Sequence, residues 1–416
     1  MKHINDALGG RITPPSVYAC VLARRGYSSS GLISLQTLNK SKRGHKMTHV
    51  KNLPGLLEEK RCFKLNMFLG IDGFVDEILH VVDKRQDVDT FTRINTMKEF
   101  GERIIKAAGL STNIEMVTAK TKLGGNGPIL ANALIEYGVS VTYAGALGAP
   151  DLHPIFAPMA KKSVKTYNLI NPGLSDAVEF DDGKIIFGKH TPLKELTWEK
   201  FKSSFGGAKE LAAILEKQDL LAMVNWTMMA YMSEIWEGMI NEVFPLLQTT
   251  NKPIAFFDLA DPEKRTKEDI KHAMKLIGGF ETKFSAILGL NEKELYEIAA
   301  VLDIEKKPTL SETSLEVYKK LGIHCLVVHP VSSALCIVDG EVFETDGPYC
   351  KKPVLTTGAG DNFNSGFVLG QALGMDPLSC LTLGVVTSGF YVRNAKSPTY
   401  DDAIKFAKDW EAGKVD

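Results

Sequence analysis

From residue 64 onward, short apolar runs alternate with stretches whose apolar residues recur at helical spacing. That rhythm predicts βαβ units, and so a mainly parallel sheet covered on both faces. The first run, 65–69, ends at Gly70, and a helical pattern follows at 96–108. A β-alternating stretch at 115–123 leads into Gly124-Gly125-Asn126-Gly127, which opens an apolar helix over 129–137 that stops at Gly138; a strand follows over 139–144. Residues 163–188 read differently. Asp181-Asp182-Gly183 sits between two alternating runs, a strong hairpin signal, so short antiparallel strands are expected there as a small β appendage. Strands resume at 220–224, 253–258, 286–288 and 325–328, and a helical block runs over 362–393. With no internal repeat and no long linker, residues 61–416 are expected to form one large domain, preceded by a basic extension over 1–60.

Composition narrows the class. In 416 residues, 44% hydrophobic and 24% charged with 36 Gly and 18 Pro, neither disorder nor a fibrous scaffold is indicated. The 49 Lys+Arg against 50 Asp+Glu leave a formal charge of −1, without the basic excess of a nucleic-acid binder. No uncharged run reaches the ~18–20 residues needed to span a bilayer, so neither nucleic acid nor membrane is an expected partner and a cytoplasmic location is predicted. The six cysteines include no C-x-x-C pair, which argues against a disulfide framework or a zinc ribbon. Residues 1–46 stand apart, with eight Lys/Arg, the single acid Asp6 and a serine cluster at Ser28, Ser29 and Ser30. That composition suits an organelle transit peptide. Gly9-Gly10 and Pro14-Pro15 would break a presequence helix, however, and Met47 offers an alternative start, so a removable, adventitious or disordered extension and an integral structural segment are the other readings.

Several chemistries are absent by inspection. There is no G-x-x-x-x-G-K-[ST], no G-x-G-x-x-G after a strand, no H-E-x-x-H and no G-x-S-x-G. What remains is Thr356-Thr357-Gly358-Ala359-Gly360-Asp361-Asn362-Phe363-Asn364-Ser365-Gly366. Gly358, Ala359 and Gly360 carry almost no side-chain bulk and lie where a helix begins, so their N–H groups form a candidate anion hole. A carboxylate at its rim repels a bound phosphate unless its task is to take a proton from the nucleophile that attacks the phosphate, as phosphoryl transfer to an alcohol requires. The competing reading is a glycine turn with Asp361 capping the helix.

This run resembles the C-terminal signature of the ribokinase-like (phosphofructokinase-B type) carbohydrate kinases, and the resemblance extends over roughly 63–410. Gly124-Gly125, with Asn126, is similar to that family's N-terminal glycine motif. Gly70 to Asp76 is similar to its first strand end, whose acid grips substrate hydroxyls; Asp76 is the better match, with Asp72 four residues earlier competing for the role. Asn291-Glu292-Lys293-Glu294 resembles the N-x-x-E motif that organises magnesium and phosphate through water. The resemblance implies an α/β fold, a three-layer α/β/α sandwich with a mainly parallel central sheet and a β-sheet lid from about 74–82, 113–123 and 163–190. It implies ATP- and Mg²⁺-dependent phosphorylation of a hydroxyl on a sugar or sugar-like molecule. Asp361 would be the general base, Gly358, Ala359 and Gly360 the anion hole, and Asp76, Asp72, Gly124, Gly125 and Asn126 the substrate site. Asn291, Thr356 and Asn364 would meet the nucleotide, and Asn291 and Glu294 the metal. Homodimerisation through the lid is also compatible with it.

Three departures accompany the match. Ile129 stands where the family has an Asn, leaving Asn126 or Asn132 to substitute. His329-Pro330-Val331-Ser332-Ser333-Ala334 replaces a T-x-G-x-x-G turn, and Pro330 removes a donor where glycine permits close phosphate approach. Leu355 replaces the Asp of the family's monovalent-cation site, which leaves that cofactor in doubt. A nucleoside kinase on the same fold, and a sugar-binding or regulatory protein that has lost efficient transfer, are the alternative readings.

Overall fold

A computed structural model describes residues 48–248 and 252–415. Nine strands form the main sheet: β1 (Asn66–Ile71), β5 (Ser140–Gly145), β6 (Lys165–Asn168), β9 (Leu220–Val224), β10 (Ile254–Asp258), β11 (Ser285–Leu290), β12 (Cys325–Val328), β13 (Ser333–Val338) and β14 (Glu341–Asp346). Their spatial order is β14-β13-β12-β11-β10-β9-β1-β5-β6. All neighbours from β12 to β6 pair in parallel, while β13 and β14 close the other edge as an antiparallel hairpin. The central strands are buried almost throughout, as expected for a parallel sheet covered on both faces.

Side-chain alternation divides the core into two layers. Phe68, Leu221, Met223, Phe257 and Leu288 face one side, beneath the helices Ala208–Leu215, Met232–Gly238, Lys267–Phe280 and Glu292–Val301. Met67, Leu69, Ala222, Phe256 and Ile287 face the other, beneath Asn126–Glu136, Ala359–Ala372, Pro377–Asn394 and Tyr400–Glu411. The three-layer sandwich expected from the sequence is therefore present.

The helix Thr48–Glu59 belongs to that second layer. Leu53 and Leu57, one turn apart, are buried in its core, the Tyr400 hydroxyl donates to the Leu57 carbonyl (2.8 Å), and Lys60 donates to the Leu373 carbonyl (3.0 Å). A boundary at residue 60 thus cuts through packed structure, and the body reaches back at least to residue 48. The expectations for residues 1–46 lie outside the described residues.

The second sheet is the expected lid. It runs β3 (Phe91–Arg93), β2 (Phe74–Arg85), β7 (Gly173–Phe180), β8 (Gly183–Lys189), with β4 (Met116–Gly124) also paired to β2. Phe180 pairs with Gly183 across the predicted turn. Residues 165–168, expected in the lid, instead form β6 at the edge of the main sheet, because they extend the parallel ladder beside β5. The lid's outer face has its own small core of Leu79, Val81, Val178 and Phe180, closed by Phe100 of the helix Met97–Lys106. The predicted block 362–393 is two helices, broken at Gly374, whose φ of 64° suits glycine.

Candidate active site

The site lies where strand ends of the main sheet meet the N-termini of two helices. β1 passes into the lid through Asp72 and Gly73. Asp72 is fully buried, and its carboxylate accepts the N–H groups of Asn126 (3.0 Å) and Gly127 (2.8 Å) and the side-chain amide of Asn225 (2.6 Å). A negative charge is favourable at a helix N-terminus, so Asp72 fastens the Asn126–Glu136 helix to the end of β1. Burial still raises its pKa to about 6, against the pull of these hydrogen bonds.

Asp76 has different surroundings. It lies on the lid face that looks toward the main sheet, bonded to the Ser175 hydroxyl, and burial raises its pKa against the attraction of Lys122 and Lys184. A recess of about 70 Å³ separates Asp76, Lys122, Ser175 and Lys184 from Thr357 of the glycine turn. The double glycine passes over both carboxylates. A Cβ at Gly124 would lie 2.4 Å from the Asp76 carboxylate, and one at Gly125 would lie 2.9 Å from Asp72 Oδ2.

The second helix N-terminus carries the glycine run. Gly358 is the N-cap of Ala359–Ala372 with φ 91°, and Tyr391 braces the turn by donating its hydroxyl to the Thr357 carbonyl (2.8 Å). The Ala359 N–H is turned back onto the Thr356 carbonyl (3.0 Å), whereas the Gly358 and Gly360 amides donate to none of the described residues. Of the three amides expected in an anion hole, those of Gly358 and Gly360 are left without an acceptor among the described residues, and the Ala359 amide is spent on the turn itself. Asp361 follows, buried, and receives a hydrogen bond from the Asn126 side chain. Burial, then Asp258, then Asp72 hold its pKa well above the usual carboxylate range. Asn126 thus joins the two halves of the site: its backbone holds Asp72 and its side chain holds Asp361.

Nothing in the sequence marks Asp258, at the end of β10: it is one acid among 50 with no motif around it. It is buried, accepts the Asn364 side-chain amide (2.8 Å) and the Ala260 N–H (3.0 Å), and has its pKa raised to about 8 by burial and by Glu294. Asn364, expected on the nucleotide, is only 1% exposed and points inward to Asp258 instead. Asn291 and Glu294 form a reciprocal cap: Asn291 Oδ1 accepts from the Glu294 N–H (3.0 Å), and Glu294 Oε2 accepts from the Asn291 N–H (2.9 Å). Glu294 Oε1 also holds the Asp261 N–H (3.0 Å), and burial raises the Glu294 pKa. Each Glu294 oxygen already holds one amide, a donor set that fits a hydrated Mg²⁺ carried by phosphates better than a direct protein cage. His329, in the departing turn, lies against Phe363 with ring centroids 4.8 Å apart, and burial lowers its pKa to about 4, so it is neutral.

Comparison with known proteins places this geometry. The family model described as prokaryotic ketohexokinase matches residues 40–410. A ketohexokinase of Haloferax volcanii is 27% identical over 346 residues, covering 83% of this chain and 91% of that protein. Among solved structures, ribokinase of Arabidopsis thaliana complexed with ribose and ATP shares the fold at TM-score 0.57 and 15% identity, covering 83% of this chain and 98% of that one. A point mutant of Escherichia coli phosphofructokinase-2 shares it at 0.59 and 15%, covering 84% and 99%. Nucleoside kinase of Methanocaldococcus jannaschii shares it at 0.55 and 16%, covering 83% and 100%. Since the family model spans nearly the whole described body, the chain belongs to the prokaryotic ketohexokinase family of ribokinase-like carbohydrate kinases, phosphotransferases that act on a hydroxyl.

Proposed function

We propose that the protein transfers the γ-phosphoryl group of ATP to a hydroxyl of a ketohexose, with Asp361 as general base. The observation that carries this reading is the placement of a buried carboxyl directly after the free Gly358 and Gly360 amides, next to a recess that holds Asp76. The acceptor hydroxyl gives its proton to Asp361 while its oxygen bonds to the γ-phosphorus. The bond from that phosphorus to the bridging oxygen breaks, ADP leaves, and Asp361 returns the proton to solvent. A raised pKa suits a base that must accept a proton in the transition state. Gly358 and Gly360 face the charge that develops on the phosphoryl oxygens. Asn126 orients Asp361, and Asp76 fixes the sugar so that its hydroxyl lines up with the phosphorus. Mg²⁺, held through water by Glu294 and Asn291, would neutralise phosphate charge.

The substrate class rests on the family and on the Haloferax volcanii relative. The recess lining contains no aromatic ring on which a nucleoside base would stack. A coupled ADP-release assay over ketohexoses, aldohexoses, pentoses, sugar acids, polyols and nucleosides tests the reading. A ketohexose should give the highest kcat/KM, and a nucleoside in first place would overturn it.

A further inference from the structure

We propose that Lys122 is a substrate-binding residue which, with Asp76, forms a donor and acceptor pair reading two neighbouring hydroxyls of the acceptor sugar. This rests on the reading of the recess as the acceptor site.

Asp76 and Lys122 are direct cross-strand partners in the β2–β4 ladder, and Asp76 and Ser175 are partners in the β2–β7 ladder. Period-two alternation puts all three side chains on one face, in one row across the lid. All three line the recess opposite Thr357. The row therefore presents an ammonium, a carboxylate and a hydroxyl side by side to whatever occupies the space before the glycine turn.

Lys122 is the member that needs explanation. It forms no hydrogen bond or ion pair with any described residue, although Lys184 beside it bonds Glu179 at 3.0 Å. Burial lowers its pKa, with Asp76 opposing that shift. A half-buried ammonium that feels the charges of Asp76 and Glu179 but donates to neither leaves its hydrogen-bonding capacity unused, at a cost in free energy. A sugar returns it. Each hydroxyl of a vicinal pair is both donor and acceptor: a carboxylate takes the hydrogens, and an ammonium supplies donors to the lone pairs. Asp76 alone reads only the hydrogens. The row also predicts which acceptors fail, because a deoxy sugar leaves Lys122 buried and unpaired, which is costlier than a lost surface contact.

The test is a cycle between protein and substrate. Binding of D-fructose and its monodeoxy analogues is measured by calorimetry, and KM values by ADP release, for the wild type, Lys122→Met and Lys122→Arg. Lys122→Met should weaken D-fructose binding roughly ten-fold or more while the KM for ATP and the unfolding midpoint stay near wild type. One monodeoxy analogue should bind wild type and Lys122→Met equally, and Lys122→Arg should recover part of the loss. Unchanged D-fructose binding in Lys122→Met, an equal loss for every analogue, or a rise confined to the KM for ATP would each overturn the proposal. Binding without turnover leaves it standing and removes only the catalytic reading. A wild type that binds none of these sugars removes both.

Discussion

Gly124 lies directly over the carboxylate of Asp76, so close that a single methyl group at Gly124 would lie 2.4 Å from its carbon and both oxygens. The close approach is between backbone and the side chain proposed to hold the sugar, within one ladder, where Phe74 pairs with Gly124 and Asp76 with Lys122. Gly124→Ala should therefore displace Asp76 and raise the sugar KM by roughly ten-fold or more. The KM for ATP and the fold, followed by far-UV circular dichroism, should change little. An unaltered sugar KM would mean that Asp76 does not hold the acceptor.

Asp361→Asn keeps the shape of the helix start but removes the proposed proton acceptor. Turnover should fall by about two to four orders of magnitude, with calorimetric sugar binding retained. A variant with wild-type kcat would return Asp361 to the role of a helix cap. Loss of folding would do the same.

The two aspartates of the strand end should separate cleanly. Asp72→Ala leaves two helix N–H groups and the Asn225 amide without their acceptor, at roughly 1–3 kcal/mol for each donor left buried and unpaired. Its effect should appear as a lower urea midpoint. Asp76→Ala should instead leave the midpoint near wild type and raise the sugar KM about ten-fold or more. The reverse pattern would exchange the roles of the two residues.

Burial of Asp258 makes stability depend on pH in a defined direction. Its pKa rises from 3.8 in the unfolded chain to about 8 in the fold, so between those values the folded state binds the extra proton. Its contribution is full below the unfolded value and is lost as pH rises toward about 8. The unfolding free energy from urea melts should fall on the order of 2 kcal/mol between about pH 6 and pH 8. Asp258→Asn should flatten that slope. A wild type whose stability rises across this interval would contradict the assignment.

The parts of the site read in the sequence are those in which neighbours in the chain are neighbours in space. Gly358 to Asp361 form one turn, Gly124 and Gly125 one crossing, and Asp182-Gly183 one hairpin, so local residue chemistry was enough to find them. Asp258 and Asn364 are 106 positions apart, and Asp72 and Asn225 are 153 apart; nothing local marks such pairs. The inward turn of Asn364 was hidden for the same reason, since a helix start shows its spacing but not which side chain meets a strand end. The place of β6 is not legible in the sequence, because a four-residue strand carries too little alternation to distinguish a parallel edge from an antiparallel insert. The Thr48–Glu59 helix is hard to read in the sequence because Pro54 interrupts a short segment in which only Leu53 and Leu57 mark the buried face.

Two of the chain's crossings between body and lid are Asp72-Gly73 and Gly124-Gly125. These are also the residues that carry one buried carboxylate and pass over the other. The lid is therefore mounted on the same few atoms that hold Asp72 and crowd Asp76. On the proposed reading of the recess, an exchange at these positions would shift the sheet above them together with any sugar that Asp76 holds. New specificity would have to arise farther out along the lid strands, where a side chain can be exchanged and the suspension left alone.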